Sequence, residues 1–111
     1  MAQKSDWRLG SIELLMLNLL SQQSMYGYHI IKELETRSHG YFKFKEGTLY
    51  PVLHRLEKAG LIRGQWQTLS NSRPRKYYYI TEKGHATLLE KTRQWREFST
   101  AIDLIAQLPP G

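Results

Sequence analysis

From Ser11 to Gln22, Ile12, Leu15, Met16, Leu19 and Leu20 recur at the three- and four-residue intervals of one helical face, and Leu14 and Leu17 widen that face. The pattern predicts a first helix over these residues, with Ser11 as its N-cap and Glu13 in its first turn. Ser21 to Ser24 reads as a polar connector. A second helix is expected from about Tyr26 to Thr36, with Ile30, Ile31 and Leu34 inward and Gly27 permitting close approach. The alternation Tyr41-Phe42-Lys43-Phe44-Lys45 fits a small strand or an extended loop, with Phe42 and Phe44 on one side. Leu49, Val52, Leu53 and Leu56 form the stripe of a third helix within Gly47 to Ala59, closed by Gly60. Pro51 is compatible with that helix if it lies in the first turn, from a cap near Gly47 or Thr48.

The period then changes. Leu61 to Thr68 and Arg75 to Ile80 read as the strands of a hairpin, with Leu69 to Ser72 as its turn and Pro74 near the tip or at an edge. Thr81 caps a last helix that is expected to run to about Leu108, where Pro109 and Pro110 stop it. On that helix Leu88, Trp95 and Ile102 recur at sevens, and so do Lys91, Phe98 and Ile105. A helix of that length extends roughly 40 Å at 1.5 Å per residue. A domain this small does not cover it, so the seam calls for a second chain, most simply by two-fold symmetry.

Three short helices followed by a hairpin give the order of a winged helix-turn-helix. The expected fold class is mainly α with a small β-hairpin: a winged helix-turn-helix over residues 1–81 and a long C-terminal dimerisation helix over residues 82–111.

Charge sharpens this. The 111 residues carry a net +6, yet residues 37–80 hold nine basic and two acidic side chains, a local +7. The remaining 67 residues carry −1. A basic middle points to a polyanion, most often nucleic acid, although a solvated basic face has the same composition. Opposite the apolar stripe of the third helix lie Gly47, Pro51, His54 and Lys58, flanked by Thr48, Tyr50 and Arg55, with Lys45 just before. Thr48 and Tyr50 suit phosphate oxygens, while His54 and Arg55 can reach base edges. Around the hairpin turn, Arg73, Arg75 and Lys76 repel one another unless something anionic lies against them. Other classes have less support. There is no cysteine, so thiolate chemistry is excluded. The four histidines are isolated, with no helical metal spacing and no Gly-rich phosphate loop, so neither an enzyme, a metal site nor a cofactor is expected. No apolar run approaches the ~20 residues of a membrane span, and no secretory signal is evident. A cytoplasmic protein is the expectation. The competing reading is a winged-helix module whose basic side docks on an acidic protein partner. RNA fits less well, because the aromatics fall at apparent core positions instead of on an open platform.

Gly47-Thr48-Leu49-Tyr50-Pro51, Leu53, Leu56-Glu57, Gly60-Leu61-Ile62, Arg75-Lys76-Tyr77-Tyr78, Ile80-Thr81 and Gly84, with Tyr26-Gly27-Tyr28 before them, resemble the PadR family of bacterial transcriptional regulators. The resemblance spans about Leu9 to Trp95, and the single long helix after Gly84 is similar to the short-tailed group. It implies a homodimeric repressor on promoter inverted repeats, with the third helix in the major groove and the wing on the flank. Tyr50 then matches a residue of the DNA-contacting helix, and Arg75 and Lys76 match the basic wing strand. Many members control efflux, phenolic-acid detoxification or stress genes and release DNA when a small aromatic compound binds. Trp95 matches a tryptophan that lines the pore between subunits in a multidrug-sensing member. Two such indoles would suit a planar aromatic effector, with Phe98 and Leu15 alongside and Trp7 covering. Leu88, Trp95, Phe98, Ile102 and Ile105 are the expected dimer contacts.

Overall fold

The computed structural model describes residues 7–68, 71 and 73–107, with side chains from residue 10 onward. The order is α1 (Trp7–Gln22), β1 (Met25–Tyr26), α2 (Gly27–Arg37), α3 (Glu46–Lys58), β2 (Ile62–Gln67), β3 (Arg75–Ile80) and α4 (Glu82–Ala106). The strands form one antiparallel sheet in the order β1-β3-β2. Met25 stands opposite Tyr78, and Gly64 stands opposite the same tyrosine from the other side.

The apolar stripes meet in one core. Met16 and Leu17 of α1, Ile30 of α2, Leu49 and Leu53 of α3, Met25 of β1 and Ile62 of β2 are all almost completely buried. Each such side chain stabilises the fold by about 1.5–3 kcal/mol. Ile12, Leu14 and Leu15 are half-buried at its edge. The expected hairpin is present, and a two-residue β1 extends it to three strands. Met25 is too short a segment to show a period of its own, and it becomes a strand because β3 offers it a partner.

Three boundaries differ from the sequence expectation. α1 begins at Trp7, so Ser11 lies inside it and is not its N-cap. Gly10 is spanned, since a helical glycine costs about 1 kcal/mol, which packing absorbs. α3 begins at Glu46 behind Lys45, so Pro51 is its sixth residue and not in its first turn. The proline leaves the Gly47 carbonyl without an i+4 donor. α4 is described to Ala106, with Gln107 as a left-handed C-cap, and the expected stop at Leu108 to Pro110 lies outside the described residues. So do Leu69, Ser70 and Ser72 of the turn.

The punctuation residues act as expected. Gly60 (φ +80°) closes α3 in a Schellman motif, with Leu61 N–H donating to the Leu56 carbonyl and Gly60 N–H to that of Glu57. Thr81 accepts from Gly84 N–H at 3.0 Å and donates its hydroxyl to the Gly60 carbonyl at 2.7 Å. It therefore caps α4 and ties that helix to the start of β2. Residues 41–45 form an extended loop, not a strand, and Phe42 and Phe44 do share a side, their rings stacked at 5.9 Å.

α4 is about 37 Å long for its 25 residues. Its early turns pack on the core through Gly84 and Leu88, both buried. Beyond them Trp95, Phe98, Ile102 and Ile105 are 44%, 49%, 45% and 84% exposed. The distal helix does not fold back over these side chains.

Candidate nucleic-acid interface

The buried stripe of α3 fixes what the helix shows to solvent. With Leu49, Val52, Leu53 and Leu56 inward, Gly47, Pro51, His54 and Lys58 fall on the exposed side, and Thr48, Tyr50 and Arg55 flank them, all exposed. Lys45 is exposed at the N-terminus of the same helix. The flanks are braced by neighbours. Tyr50 lies against α2 so closely that a Cβ at Gly27 would stand 2.5 Å from its phenolic oxygen. Partial burial first, and the Glu46 carboxylate second, hold the Tyr50 phenol above its usual range. Arg55 reaches Glu13 of α1 at 3.9 Å, and the other oxygen of Glu13 meets Lys91 of α4 at 3.4 Å.

The hairpin stands beside this helix. Successive strand residues face opposite ways, so adjacent cations part company. Arg75 shares a face with Tyr77 and Tyr79, its guanidinium 4.4 Å from the centre of the Tyr26 ring. Tyr26 in turn meets Tyr77 edge-to-face at 5.4 Å. Arg63 of β2 stacks on Tyr79 at 4.9 Å. Arg73 and Pro74 are exposed beyond β3, and Trp66 is 67% exposed where β2 outruns the core. Lys76 shares the inner face with buried Tyr78. Its ammonium lies 3.1 Å from Glu57 Oε1, and this hydrogen bond holds it above the usual lysine range. A partly exposed pair of this kind contributes about 1 kcal/mol or less to stability. Its consequence is geometric.

A second region surrounds Trp95. A groove of about 620 Å³ is lined chiefly by Ile12, Leu14, Leu15, Phe42, Phe44 and Trp95. A smaller one of about 310 Å³ between α1 and α4 includes Lys91, Trp95 and Phe98. The Trp95 and Phe98 rings lie 5.7 Å apart. Trp95 lines both grooves, with Leu15 in the larger and Phe98 in the smaller, and Phe42 and Phe44 join Leu15 from a part of the chain that the helical period does not connect. Leu88 is separate, buried in the chain's own core. The Trp7 indole lies outside the described side chains.

The sequence pattern of the Transcriptional regulator PadR-like family matches residues 16–90, from mid-α1 through the sheet into α4. The chain belongs to this family. A PadR-like transcriptional regulator from Bacillus cereus is 35% identical, covers 95% of this chain and 100% of its own, and has a TM-score of 0.80. A transcriptional regulator from Clostridium thermocellum is 31% identical, with 89% of this chain and 96% of its own covered and a TM-score of 0.81. A transcriptional regulator of Mycobacterium tuberculosis is 32% identical over 87% of each chain. As a PadR-like protein, this chain is a winged-helix, DNA-binding transcriptional regulator, in a family of regulators and not of enzymes. Among the described residues of this PadR-like chain, no helix is long and apolar enough to cross a membrane.

Proposed function

We propose that the chain works as a homodimeric repressor on an inverted-repeat promoter site, each copy placing α3 in the major groove and its hairpin on the flank. The observation that carries this reading is the acid-free exposed face Gly47, Pro51, His54 and Lys58 beside the projecting cations Arg73 and Arg75. Thr48, Tyr50 and Lys45 hold phosphates in this reading, while His54 and Arg55 read base edges. The exposed seam from Trp95 to Ile105 supports pairing of two copies along α4, with residues 1–81 reading DNA and residues 82–111 joining the copies. Pairing would set the two α3 helices roughly 34–36 Å apart, one turn of the duplex.

The Trp95 grooves support an effector site for a planar aromatic compound, whose binding between copies would change the spacing of the two reading helices. The decisive experiment is selection of bound duplexes from random or genomic fragments, repeated with a panel of planar aromatics. A palindromic consensus, lost or weakened with one of those compounds, is the expected result. Binding without sequence preference would overturn sequence-specific regulation and favour the docking module.

A further inference from the structure

Residues 37–80 carry two carboxylates among nine cations, and both stand on the DNA-reading helix: Glu46 opens it, where a helix N-terminus favours an acid, whereas Glu57 lies in its last turn. An acid there repels phosphate, so it needs another reason. Both of its oxygens are engaged. Oε1 accepts from Lys76 Nζ at 3.1 Å, and Oε2 accepts from the Gly64 N–H at 3.2 Å. Lys76 is on β3 and Gly64 is on β2, an edge strand. A single carboxylate on α3 therefore holds both strands of the hairpin. The absence of a side chain at residue 64 admits the arrangement: a Cβ there would stand 2.2 Å from Lys76 Cε and 3.0 Å from Glu57 Oε2. The lysine stem crosses the glycine, and its ammonium sits 5.5 Å from the centre of the Tyr78 ring.

We infer that Glu57 is a positioning residue that clamps the wing to α3 through Lys76 and Gly64, and that Lys76 serves this clamp and not a phosphate. The inference rests on the DNA reading above and refines it. Helix and wing then meet the duplex as one body with a fixed angle, and the phosphate contacts of the wing fall to Arg73 and Arg75.

The test is a salt series of binding to the selected operator duplex, with melting temperatures recorded for each variant. Glu57→Gln raises the net charge by one, so simple electrostatics predicts tighter binding. The clamp predicts the opposite sign, a loss of about tenfold for Glu57→Gln and Lys76→Met alike, and no further loss in the double variant because the two act as a unit. The slope of log affinity against log salt should stay at the wild-type value in all three. Tighter or unchanged binding by Glu57→Gln, or a slope lowered by about 0.9 in Lys76→Met as for a lost phosphate contact, would overturn the inference. Gly64→Ala keeps both charges and remains decisive if a charge variant unfolds. It should also lose about tenfold at unchanged slope, and wild-type affinity in it would refute the clamp. A wild-type protein that selects no duplex at all sinks the DNA reading itself, an outcome distinct from each of these.

Discussion

Among the described glycines, Gly84 is the one whose replacement the structure tolerates least. A Cβ there would stand 2.1 Å from the Leu61 carbonyl oxygen, a backbone atom that cannot swing aside. Gly84→Ala should therefore force α4 away from the α3–β2 corner and cost about 2 kcal/mol or more; a urea midpoint equal to wild type would contradict this. Lys76 gives a titration with a definite sign. Its pKa is raised by the Glu57 hydrogen bond, so the stabilisation it brings is complete below the ordinary lysine value of ~10.4 and is lost only as pH climbs past it. An NMR titration of its Cε resonance should give a midpoint above that of a lysine model peptide, and a midpoint at or below it would mean that the pair does not persist in solution. Glu57 was visible as a member of the motif and as one of two acids in a basic stretch, but nothing in the sequence said what it touches. Likewise the sequence showed a small residue at position 27, and packing supplied the reason, the Tyr50 ring lying over it.

At the scale of elements, the hairpin and α3 divide the work of binding. Arg73→Ala and Arg75→Ala should each weaken binding to every duplex and lower the salt slope by about 0.9. His54→Ala and Arg55→Ala should change the preferred sequence, each relaxing discrimination at its own base by about 1–3 kcal/mol. If repeated duplex selection returns the wild-type consensus for both α3 variants, these side chains do not read bases. The elements were largely legible in advance. α3 shows its stripe, its closing glycine and its exposed face in sequence, and β2 and β3 show their β-rich runs. Two things were hidden. Arg75 and Lys76 look like one basic patch because they are neighbours, yet the pleat sends one to the outer face and the other beneath, to Glu57. β1 could not be seen because a two-residue strand has no pattern without the strand it pairs with.

For the whole molecule, the principal question is what covers the far half of α4. Ile102 is 45% exposed in the single chain, so Ile102→Asp should leave the fold intact and separate the copies. Sedimentation velocity should report the change from dimer to monomer, and affinity for a full inverted repeat should fall about a hundredfold as two linked contacts become one. A variant that sediments as wild type would remove this seam from the interface. Planar aromatics should quench tryptophan fluorescence and lower affinity for DNA together. Equal quenching in Trp95→Ala would place the ligand elsewhere.

The sequence by itself determined the order of the four helices and the hairpin, the stripes that make the core, the stop at Gly60, the cap at Thr81, and the concentration of positive charge between α2 and the end of the sheet. These are consequences of local period, capping chemistry and composition, which act over a few residues at a time. Only the tertiary structure decided which side chains are available. Glu57 and Lys76 lie nineteen positions apart, Glu13 and Lys91 further still, and Phe42 comes to Trp95 from another part of the chain. Such meetings depend on how packed elements are aimed at one another, and no window along the chain contains that information.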